Sequence, residues 1–145
     1  MKKIQIIMLL LIMGVSIGAC SDEADPHLTR VDIQKIDEDE MYKEEVILVD
    51  LITLDSLKSI FNEVKWKPNS SKEMSAKEDL QLTLFFTYEE NMSEKLFLYR
   101  IWFEDDDEVI IISNNEEEGY GKLEGDNAVK LKNILIGQFL EEEME

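Results

Sequence analysis

The stretch Leu80–Phe103, LQLTLFFTYEENMSEKLFLYRIWF, contains two apolar runs that alternate with period two around a polar connector. In the first run Leu80, Leu82, Leu84, Phe86 and Tyr88 share one face, and Gln81, Thr83, Phe85 and Thr87 share the other. Successive side chains of a strand point to opposite sides, so the run reads as a long strand with one apolar and one mixed face. Glu89 to Glu94 connects it to the second run, which sets Phe97, Tyr99, Ile101 and Phe103 opposite Leu96, Leu98, Arg100 and Trp102. The acids Glu104 to Glu108 then lead into Val109–Ser113. Connectors this short favour antiparallel pairing, which makes the three strands a meander.

On the N-terminal side, Leu28–Ile36 alternates weakly, Asp37 to Glu40 reads as a solvated turn, and Val46–Ile52 is a second strand candidate. Thr53 is placed to cap a helix that carries Asp55 in its first turn and Leu57, Ile60, Phe61 and Val64 at helical spacing. That helix is expected to end near Trp66, because Pro68 disfavours helical geometry at Lys67. On the C-terminal side, Asn114 to Glu118 is turn-like and Tyr120–Leu123 fits a short edge strand. Gly125 and Asp126 open a last helix whose stripe is Ala128, Leu131, Ile134, Leu135 and Phe139. The pattern predicts an α+β domain: a twisted antiparallel sheet of about five strands with two helices packed on one face.

Near its start the chain has Lys2 and Lys3 and then a run from Ile4 to Met13 that is apolar except for Gln5, the charged start and apolar middle of an export signal. Ile17, Gly18 and Ala19 then precede Cys20, and small residues before a cysteine resemble a bacterial lipoprotein-processing site. The resemblance implies that residues 1–19 are a signal peptide, that Cys20 is lipidated, and that 20–27 is a short tether to one domain at 28–145. The apolar stretch is shorter than the roughly twenty residues a permanent spanning helix needs. With no cysteine besides Cys20, neither a disulfide framework nor a thiolate metal site can form. The formal net charge is −18, and it becomes −20 once Lys2 and Lys3 leave with the leader. Such a field repels nucleic acid and favours cationic partners.

The run Val64-Lys65-Trp66-Lys67-Pro68-Asn69 with Met74, Glu78 and Asp79, then Leu96, Tyr99, Ile101, Trp102 and Phe103, then Ile111-Ile112-Ser113-Asn114-Asn115 and Gly119-Tyr120-Gly121-Lys122-Leu123, resembles small lipoproteins of Bacillus-type Gram-positive bacteria that carry a YhfM-like domain. The likeness implies a Gram-positive cell envelope, with the chain lipid-anchored on the extracytoplasmic face of the cell membrane. It brings no activity and no catalytic residue to carry over.

Most catalytic constellations fail on composition. His27 is the single histidine and lies in the tether, so neither a Ser/His/Asp site nor a zinc site of His and Cys ligands can be assembled. The window Asn114, Glu116, Glu118, Gly119 imitates the start of a calcium loop, but its twelfth place is Gly125 where a bidentate glutamate is required. Glycines 119, 121 and 125 do not make a G-x-G-x-x-G, since the sixth place is Glu124. What remains is a non-catalytic interaction module. Its partner would be an envelope protein docking on Leu96, Leu98 and Trp102, unless the loop from Lys67 to Glu78 or the first strands cover that face. Calcium binding by the acidic turns is the alternative reading, and a carboxylate-based hydrolase is a third that would require a deep cleft with convergent polar groups. No catalytic residue, metal ligand or cofactor is assigned, and Cys20 is the one site.

Cys20→Ala is expected to abolish metabolic lipid labelling and to leave the precursor unprocessed or the protein free in the medium; unchanged labelling and membrane retention would refute the anchor.

Overall fold

The structure, a computed structural model, describes residues 25–36, 42–89 and 91–142. The export signal, Cys20 and the Asp37–Glu40 turn lie outside the described residues. Strands β1 (His27–Ile36) and β2 (Tyr42–Leu48) precede helix α1 (Leu51–Asn62), which is followed by the short strand β3 (Lys65–Lys67). Strands β4 (Leu80–Thr87), β5 (Lys95–Asp105), β6 (Glu108–Ser113) and β7 (Tyr120–Glu124) lead to helix α2 (Asp126–Glu142). The α+β class is as expected, but the sheet has seven strands in the order β2-β1-β4-β5-β6-β7-β3, not about five. Each neighbouring pair in it is antiparallel.

The meander forms in the register that the alternation implies, with Leu82 opposite Tyr99, Leu84 opposite Phe97 and Ile101 opposite Ile111. Its apolar face, with Val31 and Ile33 of β1, packs beneath Leu54, Leu57, Ile60 and Phe61 of α1 and Ala128, Leu131 and Leu135 of α2. Both helices therefore cover the same side of the sheet. Among the described residues no helix is long and apolar enough to cross a membrane.

Three boundaries differ from the sequence reading, each for a local reason. Helix α1 starts three residues early because Asp50, not Thr53, is its cap: the Asp50 carboxylate accepts from the Thr53 N–H at 2.9 Å and the Thr53 hydroxyl at 2.8 Å. These bonds hold the Asp50 carboxyl below its ordinary range. The early start ends β2 at Leu48 and leaves Leu51 and Ile52 in the first helical turn, 74% and 79% exposed. At the other end the helix stops at Asn62, and Trp66 belongs to β3, opposite Gly121 of β7. Consequently β7 is an interior strand and not the edge.

The sheet's other face is closed by the segment between β3 and β4. Trp102 is only 4% exposed; it clusters with Ile110 and Ile112, packs against Met74 and Tyr120, and its indole N–H donates to the Ala76 carbonyl at 2.9 Å. Leu98 is half-buried, and Leu96 alone of the three remains open at 54% exposure. The face proposed for a docking partner is thus filled by the chain's own loop at its centre. The acidic connectors are partly neutralised: Lys122 lies 2.9 Å from Glu108 and 3.0 Å from Glu124, Lys65 bridges Glu124 at 3.1 Å, and Lys132 reaches Asp106 at 3.3 Å. Glu108 and Glu124 hold the Lys122 ammonium above its ordinary pKa, although exposed pairs of this kind contribute little to stability.

Trp102→Ala empties a closed site and is expected to cost about 3–5 kcal/mol, read as a shift in the urea midpoint. A loss below about 1 kcal/mol would mean that the loop does not seal this face.

Candidate functional site

On the helical side of the sheet, where the α1 C-terminus meets the ends of β4 and β5, lies a cavity of about 360 Å³. Its walls are aromatic. Phe61 comes from α1, Trp66 from β3, Phe86 from the end of β4 and Tyr88 from just beyond it, and Phe97 and Tyr99 from β5. Alternation accounts for the last four, since residues two apart on a strand share a face and the two strands are paired neighbours. Trp66 arrives by a different device. A Cβ on Gly121 would lie 2.6 Å from two ring atoms of Trp66 and 2.5 Å from Val64, so the indole occupies space that only glycine leaves open. The rings meet at steep angles: Phe61 and Tyr99 at 5.0 Å and 69°, Phe86 and Phe97 at 5.8 Å and 65°, with Trp66 tilted to Tyr99 at 6.1 Å.

Two carboxylates line this cavity, Asp25 beside Lys58 and Glu118, and Glu118 is the one held by hydroxyls. Glu118, half-buried in the β6–β7 connection, accepts from the Ser113 hydroxyl at 2.6 Å through Oε2 and from the Tyr99 hydroxyl at 3.3 Å through Oε1. Ser113 is itself oriented, accepting from the Asn115 N–H at 3.0 Å. The turn that carries Glu118 is tied by Glu118 and Gly119 N–H bonds to the Asn115 carbonyl, at 3.0 and 2.9 Å. Gly119, at φ +66°, lets this turn lie against β3, where a Cβ would come within 2.8 Å of the Lys67 carbonyl. Burial, and then the charge of Glu118, push the Tyr99 phenol well above its ordinary pKa, so it stays a proton donor. Asn62 and Asn115 also line the cavity. Lys58 does too, its ammonium 2.8 Å from Asp25. A groove of about 620 Å³ between the helices is lined by Asp55, Ser59, Lys130 and Asn133. Among the described hydrogen bonds none orients those side chains, so that groove has no comparable centre.

The residues singled out from sequence fall elsewhere or take other roles. Cys20 lies outside the described residues, and His27 is exposed at the start of β1. The calcium-like window does not converge. Asn114 accepts from the Leu98 N–H at 2.9 Å, Glu118 is taken by two hydroxyls, and among the described residues no group of three His, Cys, Asp or Glu side chains is placed to hold a metal ion. Ser113, Tyr99 and the aromatic walls had not been singled out as a site.

No protein-family model matches the chain, and no curated protein matches it. Among solved structures, the chain is similar to a thioesterase-like protein from Clostridium sporogenes, with a TM-score of 0.52 and 20% identity over 79% of this chain and 98% of that one. This likeness places the two chains in one fold. The reading as a non-catalytic interaction module, reached by setting aside the catalytic constellations, is overturned: its docking face at Trp102 is filled by the chain's own loop, an aromatic cavity with polar groups is present, and the neighbour of shared fold is a thioesterase-like protein.

Tyr99→Phe tests the network. Because the folded-state pKa is raised, the phenol's contribution is complete below the unfolded value near 10 and is lost as pH climbs beyond it. The variant is expected to be less stable by about 1 kcal/mol at pH 7. Its deficit against wild type should shrink above pH 10 in denaturant titrations. A deficit independent of pH from 7 to 11 would show that Tyr99 does not hold its proton for Glu118.

Proposed function

We propose that this chain is a thioester hydrolase, lipid-anchored through Cys20 on the extracytoplasmic face of the cell membrane, with Glu118 as its general base. The observation that carries the reading is the Glu118 carboxylate, fixed by two hydroxyls at an aromatic cavity. The fold shared with a thioesterase-like protein supports the choice of a thioester, and the export-like N-terminus supports the location.

The chemistry suits the residues at hand. A thiol, with a pKa near 8.5, leaves as thiolate without a strong general acid, so no histidine is required. Glu118 takes a proton from water, the water oxygen bonds to the carbonyl carbon, and the carbonyl becomes an oxyanion. The carboxamide N–H groups of Asn62 and Asn115, both lining the cavity, are the donors available to that oxygen. As the oxyanion re-forms the carbonyl, the carbon–sulfur bond breaks and the thiolate takes the proton back from Glu118, leaving acid and thiol. The hydroxyls of Ser113 and Tyr99 hold the carboxylate in position and do not exchange protons with substrate, so they are positioning residues.

Glu118→Gln keeps the shape and removes the base. It is expected to lower kcat for thiol release from acyl thioesters by about 10²–10⁴-fold with the thermal midpoint retained. A variant as active as wild type, or a wild type that releases no thiol from any acyl thioester, would overturn the proposal.

A further inference from the structure

Resting on that same site, we infer that the group occupying the aromatic cavity is a quaternary ammonium, so that the preferred acyl thioester carries one. Aromatic rings present electron-rich faces that attract cations, and quaternary ammonium groups are held by boxes of such rings. The steep angles between Phe61 and Tyr99 and between Phe86 and Phe97 make the walls turn corners. A flat ring ligand would want a slot of parallel faces, whereas these walls fit a compact, rounded group. One ring at the rim already carries a cation: the Lys95 ammonium lies 4.4 Å from the Tyr88 ring centre.

Charge points the same way. Lys58 is matched by Asp25, while Glu118 is held by two neutral hydroxyls and, among the described residues, meets no cationic group. A hydrocarbon acyl chain in this cavity would face a half-buried carboxylate and strip its water without compensation, whereas an onium group neutralises it. The quaternary form is singled out by the base itself. A primary ammonium would donate N–H bonds to Glu118 and occupy the lone pair that must accept the proton from water. A nitrogen bearing four alkyl groups has no N–H and leaves that lone pair free. The net charge of the chain, −18, adds a field that concentrates cations around it.

Two measurements on the mature chain separate this inference from the hydrolase reading. Tetramethylammonium chloride is titrated while fluorescence is followed in wild type and in Trp66→Phe, with sodium chloride and neopentyl alcohol, a neutral analogue of similar shape, as controls. Saturable binding at least about tenfold tighter than the alcohol, weakened in Glu118→Gln and with its signal lost in Trp66→Phe, supports the inference. No saturation, or equal affinity for the alcohol, overturns it. Thiol release is then compared for a trimethylammonioacetyl thioester and its neutral isostere, the 3,3-dimethylbutanoyl thioester. A kcat/KM at least about tenfold higher for the cation supports the inference, and equal values overturn it while leaving the hydrolase standing. Tetramethylammonium binding without hydrolysis of either thioester overturns the hydrolase and leaves the cavity's preference for a quaternary ammonium supported.

Discussion

The close approach of Trp66 to Gly121 is the constraint on which the rest of the arrangement hangs. The indole ring fits against β7 only because no side chain stands at position 121, and that contact fixes β3 as the last strand of the sheet. With β2 at one edge and β3 at the other, α1 has to run across the sheet between them. The crossing lays its apolar stripe over β1 and the meander and delivers Phe61 beside Tyr99. From β3 the chain returns behind the sheet and covers Trp102 before entering β4. A single three-residue strand thereby determines which side carries helices, which side carries loop, and where the cavity opens.

How much of this could be read beforehand depends on the range of the interactions. Strands β4, β5 and β6 and the stripe of α2 follow from periodicity, because each run's own alternation tells which residues share a face. Asp50 and Trp66 were misplaced because the deciding partners were a neighbouring Thr53 hydroxyl in one case and a glycine on a strand fifty-five residues away in the other. No local pattern around Lys65–Lys67 demands a strand. The site suffered similarly. Glu118 stood out as an acidic turn residue, yet its partners Ser113 and Tyr99 become meaningful only when the β5–β6 register brings Tyr99 opposite Ser113. The alternating aromatics Phe86, Tyr88, Phe97 and Tyr99 were visible as a face, and what was missing was the knowledge that the helix ends before covering all of it.

Tyr99 joins the two halves of the protein's character. Its ring is core, 2% exposed and packed by Phe61 and Trp66, while its hydroxyl belongs to the polar network of Glu118. A buried phenol without a partner would be costly, and a carboxylate at an apolar wall would be costlier still, so each offsets the other. Rigidity of the core is thereby passed to the carboxylate, which needs a fixed direction if it is to act on a water molecule.

The order of strands also shapes the route by which the chain reaches its native state. β4, β5, β6 and β7 are successive hairpins whose pairing closes only short loops. β1 and β3 attach to the two flanks of that unit from far upstream, as the Thr29–Phe85 and Lys65–Glu124 contacts show with separations of 56 and 59 residues. Closing loops of that size carries an entropic cost that nearby hairpins do not bear, and high contact order slows folding. Early in synthesis β1 can pair only with β2, while its pairing with β4 and that of β3 with β7 must await strands made later. The aromatic cavity, which takes its walls from α1, β3, β4 and β5, is therefore completed only once these distant strands have joined the sheet.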